Sequence, residues 1–140
     1  MNDVPIIAIV DDDASVRRSV LRVIESAGYK GETFASAREF LAWLPHGRAA
    51  CLVLDVHLDE LSGFDLCDRL SVPIVFITSH DDPATVARIE SSTAVGHLRK
   101  PFDRKTVLDA IHRAVGARQA RVADGPPAVD GYPARGEGRP

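Results

Sequence analysis

The chain has 140 residues, 45% of them hydrophobic and 26% charged, with a net charge of −3 at neutral pH. That length suits one domain with a sizeable core, and the slightly acidic balance carries no electrostatic footprint for nucleic acid. The longest apolar runs are of strand length, so no membrane span is expected. The start, Met1-Asn2-Asp3-Val4-Pro5, lacks the basic region that opens a secretory leader. Cys51 and Cys67 form no CxxC pattern and read as reduced, packing thiols of a cytoplasmic protein.

Strand and helix signals then alternate along the chain. Ile6-Ile7-Ala8-Ile9-Val10 is an apolar run that ends in three carboxylates, Asp11, Asp12 and Asp13. Asp13 suits the N-cap of a helix in which Val16, Val20, Val23, Ile24 and Ala27 recur at helical spacing, with Gly28 as its stop. A short strand near Lys30 to Phe34 leads to Ser36-Ala37-Arg38-Glu39, which has the form of a capping box. The helix it opens carries Phe40, Leu41, Trp43 and Leu44 and stops at Pro45.

Cys51-Leu52-Val53-Leu54 is the third apolar run and ends in Asp55. A helix is expected from about Ser62 to Leu70, closed before Pro73. Ile74-Val75-Phe76-Ile77 follows and ends in Thr78-Ser79, with a helix from about Asp82 to Ser91 after it. Ala94 to Leu98 forms a fifth strand that leads into Lys100-Pro101. The last helix begins at Asp103, with Phe102 and Val107 placed as a hydrophobic staple, and runs to about Arg118.

Short strands separated by helices require parallel crossovers, so the expected fold is α/β, a doubly wound five-stranded parallel sheet with five helices. Residues 1–118 make one domain. Half of positions 125 to 140 are Gly or Pro, and residues 119–140 read as a disordered tail or linker stub. In such sheets ligands bind outside the carboxyl ends of the strands, where Asp11, Asp12, Asp55, Thr78 and Lys100 all fall. Clustered carboxylates repel one another unless a cation, a proton or a partner relieves them, so the edge reads as a cation and phosphoryl site.

Each of these residues also has a bland reading. Asp13 alone is a helix cap, Lys100 alone a surface lysine, and Asp55 alone a loop carboxylate; their arrival at successive strand ends favours the site. The five histidines show no zinc-ligand spacing.

The motifs Ile9-Val10-Asp11-Asp12-Asp13, Leu52-Val53-Leu54-Asp55, Ser62-Gly63, Phe76-Ile77-Thr78 and Lys100-Pro101-Phe102 together resemble the receiver domain of two-component response regulators, over about residues 5 to 118. The resemblance implies a flavodoxin-like receiver fold with Asp55 as the phosphoacceptor. It implies Mg²⁺ held by Asp12, Asp55, the backbone carbonyl of His57 and, through water, Asp11. Thr78 and Lys100 would bind the phosphoryl group, with a cis Lys100-Pro101 bond, and Thr78 would also act in the switch.

The family's switching aromatic stands three residues before the lysine, and here that position holds His97. Asp59 stands where many relatives have proline, and the interval from Asp55 to Thr78 is several residues short, around Leu70-Ser71-Val72-Pro73. The implied partners are a histidine kinase or histidine phosphotransfer protein and an output protein, with a homodimer through the face made by the fourth helix, fifth strand and fifth helix. Two other readings compete. A receiver-like module could bind partners without phosphorylation. An Mg²⁺-dependent phosphohydrolase of the haloacid-dehalogenase kind would use Asp11-Asp12-Asp13 as its D-x-D motif, but it would leave Asp55 without a role.

Overall fold

The computed structural model describes residues 4–44, 47–56, 70–78 and 83–124, the last seven by their backbone alone. Five strands, β1 (Ile6–Val10), β2 (Lys30–Phe34), β3 (Cys51–Asp55), β4 (Ile74–Thr78) and β5 (Gly96–Arg99), form one sheet in the order β2-β1-β3-β4-β5. Every neighbouring pair is parallel. Helices α1 (Ala14–Ser26), α2 (Ala37–Trp43) and α3 (Pro83–Glu90) make the described crossovers, and α4 (Arg104–Asp124) follows the last strand. The helix expected between Ser62 and Leu70 lies outside the described residues, apart from Leu70.

The central strands are apolar up to their last residues, Asp55 in β3 and Thr78 in β4, because both faces of the sheet are covered. Side chains alternate across a strand, and the core divides accordingly. Ile7, Ile9, Val53, Val75 and Ile77 face Val20 and Ile24 of α1 and Val107, Ile111 and Ala114 of α4. Ala8, Val10, Leu52, Leu54 and Phe76 face Phe40 of α2 and Ile89 of α3, with Trp43 and Leu70 packed at the margin. Cys51 is fully buried in the first layer, and burial pushes its thiol up to about 12, which suits a packing role. Cys67 lies outside the described residues.

Helix boundaries follow local chemistry. Asp13 Oδ1 accepts from the Ser15 amide at 2.9 Å and caps α1. Gly28, with φ of +93°, ends the α1 exit in a conformation that L side chains rarely adopt. Ser36 Oγ accepts from the Glu39 amide, while Glu39 reaches back to the Ala35 amide instead of that of Ser36, so the box is closed one residue early. Asp103 Oδ1 accepts from the Thr106 amide at 2.8 Å and opens α4, and Phe102 and Val107 share the first core layer.

Two boundaries differ from expectation. The fifth strand begins at Gly96, not Ala94. The last helix continues past Arg118 to Asp124, so residues 119–124 are helical backbone and not part of a coil. The stretch Ala117-Arg118-Gln119-Ala120-Arg121 consists of strong helix formers, and Gly125 is the first breaker after it. Residues 125–140 lie outside the described residues. No described helix is long and apolar enough to cross a membrane.

Candidate functional site

The sheet order sets the site. Because β1, β3, β4 and β5 are neighbours and all point the same way, their carboxyl ends form one edge. Asp11 and Asp12 follow β1, Asp55 and Thr78 are the last residues of β3 and β4, and Lys100 follows β5. The ladder continues into this edge, since the Val56 amide donates to the Ile77 carbonyl and the Lys100 amide to the Thr78 carbonyl.

Burial separates this edge from the rest of the molecule. Among the described residues, the buried polar or charged side chains are Asp11, Asp55 and Thr78, which are 0%, 7% and 1% exposed. Buried polar groups are costly unless a partner compensates them. Asp12, between them in the loop, is exposed. One carboxylate oxygen from each of Asp11, Asp12 and Asp55 can be chosen so that all lie within 4.8 Å of one another.

Asp11 is the most constrained member. Its amide donates to the Phe34 carbonyl, its Oδ1 accepts from the Asp13 amide at 2.8 Å, and its carbonyl accepts from Arg17 Nη1 at 2.7 Å. Oδ2 is buried without a hydrogen-bond donor, with the Lys100 ammonium at 3.5 Å as an ion-pair neighbour. Burial raises the Asp11 carboxyl above its ordinary 3.8, and the charge of Asp55 adds to this. The Asp13 amide and the Lys100 charge pull it down, without reversing the direction.

The donor set fits a hard divalent cation. It is all oxygen, and it includes a buried acceptor that no protein donor fills. Mg²⁺ takes one or two carboxylates and keeps several waters, which an edge with one exposed carboxylate allows. The expected fourth contributor, the carbonyl of His57, lies outside the described residues. The Lys100-Pro101 peptide is cis, as the resemblance implies.

His97 stands opposite Phe76 in the β4–β5 register, and its side chain is exposed. The bond from Arg17 to Asp11 was not suggested by the motifs. Its one sequence signal is a basic residue near the start of a helix, where the helix dipole disfavours a cation.

Residues 7–112 match the family described as the response regulator receiver domain. The chain belongs to that family, whose members are signalling switches and not classical enzymes, and which bind Mg²⁺ at an acidic pocket. It is accordingly a phosphoaccepting receiver of a two-component system, and nothing favours the hydrolase or the phosphorylation-independent module.

Among its relatives, Nodulation protein W of Bradyrhizobium diazoefficiens is 40% identical over 111 residues, 76% of this chain and 49% of that protein. Transcriptional regulatory protein FixJ of Rhizobium meliloti is 32% identical over 121 residues, 83% of this chain and 59% of that protein. The chain thus spans about half the length of the curated relatives it matches. The crystal structure of a response regulator receiver protein from Burkholderia phymatum is 36% identical with a TM-score of 0.73, covering 80% of this chain and 95% of that one. Response regulator StyR, also 36% identical, gives 0.76 over 86% of this chain and 64% of its own.

Proposed function

We propose that Asp55 is the phosphoacceptor, served by a histidine kinase or a histidine phosphotransfer protein. The observation that carries this reading is that Asp11, Asp55 and Thr78, the buried polar side chains among the described residues, meet at one strand edge. A carboxylate oxygen of Asp55 attacks the phosphorus of a partner's phosphohistidine. The new P–O bond makes an acyl phosphate, while the N–P bond breaks and its electron pair returns to the imidazole.

Attack by one anion on another requires compensating positive charge. In this reading Asp12 and Asp55, with the His57 carbonyl and with Asp11 through water, would hold Mg²⁺, which would supply positive charge to offset that of the phosphoryl oxygens. Lys100 already faces the edge, 3.5 Å from Asp11, and supplies a second cation to those oxygens. The buried Thr78 hydroxyl donates a hydrogen bond to the phosphoryl group and is drawn toward it, which starts the conformational response. His97, on the neighbouring strand, occupies the position that would relay it.

The output is a change in partner binding, and the face carrying α3, β5 and α4 is where a second copy or an output protein would meet the receiver. The similarity to FixJ, a transcriptional regulatory protein, supports an output in transcription. Such a circuit is cytoplasmic, and this domain needs no contact with nucleic acid of its own.

Incubation with a small phosphodonor and Mg²⁺, read by intact mass, tests the assignment. One phosphoryl adduct is expected, absent in Asp55→Asn, whose amide cannot form the same acyl phosphate. Undiminished labelling of that variant, or rapid release of phosphate from many monoesters, would overturn it.

A further inference from the structure

The Arg17 side chain has no place in the chemistry above, yet it makes one of the shortest hydrogen bonds at the site, from Nη1 to the Asp11 carbonyl at 2.7 Å. We propose that Arg17 is a positioning residue for the cation site, fixing the peptide between Asp11 and Asp12 so that the Asp12 carboxylate is presented to Mg²⁺ beside Asp55. The inference rests on the reading of Asp12 and Asp55 as Mg²⁺ ligands.

The argument begins with the peptide plane. The carbonyl of Asp11, the amide of Asp12 and the α-carbons of both lie in one rigid unit. Anchoring the oxygen therefore sets the direction in which Asp12 leaves the chain. Asp12 is exposed and, among the described residues, no hydrogen bond or ion pair holds its side chain, so its placement depends on its backbone.

The anchor is itself held. The Arg17 amide donates to the Asp13 carbonyl at 3.1 Å, and the Asp13 amide donates to Asp11 Oδ1. Arg17, Asp13 and Asp11 thus close a ring of hydrogen bonds around the loop, and Asp12 projects from within it. The Asp11 amide, bonded to the Phe34 carbonyl at 3.2 Å, ties the ring to the sheet.

Helix formation does not account for the arginine. Asp13 already caps α1, and a cation near the amino end of a helix opposes the helix dipole. A guanidinium suits the task because its planar fork keeps its donors in a fixed orientation, which an ammonium does not.

Mg²⁺ titration by calorimetry on the full chain provides the test. Removing a group that orients a metal ligand typically weakens binding by about tenfold or more, and that loss is expected for Arg17→Ala. Arg18→Ala removes the same charge one residue along, from an exposed position, and should bind as the unmutated protein does. Arg17→Lys keeps the charge and a donor without the fork and should fall between them.

Labelling rate measured against Mg²⁺ concentration supplies the second reading. In Arg17→Ala the midpoint should move to higher Mg²⁺ with an unchanged plateau, because Arg17 touches neither acceptor nor phosphoryl group. An unshifted midpoint with a lower plateau would mark a merely structural role and overturn the proposal, as would equal Mg²⁺ affinity in Arg17→Ala and Arg18→Ala. If circular dichroism shows Arg17→Ala unfolded, Arg17→Lys carries the same comparison. Labelling that survives Asp55→Asn would sink the acceptor assignment alone, because the calorimetric result is independent of it. Absence of Mg²⁺ binding by the unmutated chain would overturn both.

Discussion

The Lys100 ammonium stands 3.5 Å from Asp11 Oδ2, joining a side chain one-quarter exposed to one that is wholly buried. Part of the lysine's field is spent in solvent, so it offsets the buried carboxylate only incompletely. The raised carboxyl of Asp11 is the result, caused first by burial and then by the charge of Asp55.

A pH dependence with a definite sign follows. A carboxyl whose folded value is raised holds its proton more tightly in the native state than in the unfolded chain. The contribution of Asp11 to stability is therefore fully present below 3.8 and is lost as pH rises through the raised value. In Mg²⁺-free buffer the unmutated protein should lose stability relative to Asp11→Asn across that window. Urea unfolding of both proteins between about pH 3.5 and 7 checks it. Equal slopes would show that Asp11 is not the source.

Gly31 lies on the edge strand β2, opposite Ile7 and away from the acidic edge. A Cβ there would fall on Leu21 Cδ1 and come within 2.8 Å of Ile24 Cδ1, and Ile24 is fully buried. Gly31→Ala should cost about 1–3 kcal/mol by overpacking. Phosphoryl labelling at saturating Mg²⁺ should be unchanged. Denaturant unfolding gives the first quantity and intact mass the second.

Much of this arrangement was legible because the informative residues sit where two signals coincide. Val10, Leu54 and Ile77 each end an apolar run, and a run buried on both faces is readable without knowledge of its neighbours. The polar residue after each run then marks the sheet edge, which is why Asp11, Asp55 and Thr78 could be grouped across the chain. The capping residues Asp13 and Ser36 were equally readable, since an N-cap bond spans only two or three residues. Arg17 was not, because its partner is a backbone carbonyl, which has no identity in a sequence. The end of α4 was misjudged because the loss of an apolar stripe was taken for the loss of helix, whereas Ala, Arg and Gln sustain helix without one. The exposure of His97 was also hidden, because a strand at the end of a sheet reads like an interior one.

Truncation after Asp124 removes the Gly- and Pro-rich segment and keeps the whole of α4. Stability should change by less than about 0.5 kcal/mol and labelling should be unaltered, because the segment holds too little apolar surface to offset its ordering entropy. A drop of several degrees in melting temperature would mean that the segment docks on the domain.

His97→Tyr places the family's usual type of residue at an exposed position of β5. Its labelling rate should match that of the unmutated protein, because the side chain is not one of the site's donors. Self-association on phosphorylation, followed by sedimentation, should be stronger in the tyrosine protein, since the larger aromatic ring offers more apolar surface at that exposed position than the imidazole does. Identical association in both proteins would exclude His97 from the switch.

The single tryptophan of the chain, Trp43, packs with its ring centroid 5.3 Å from that of Phe34 and 6.1 Å from that of Phe40. Phe34 is also the residue whose carbonyl receives the Asp11 amide. One residue, Phe34, thus separates the indole from the carboxylate loop, and the indole is half-buried. If cation loading or phosphoryl transfer shifts the Asp11 backbone, the indole emission should register it without any attached label, through the Phe34 contact.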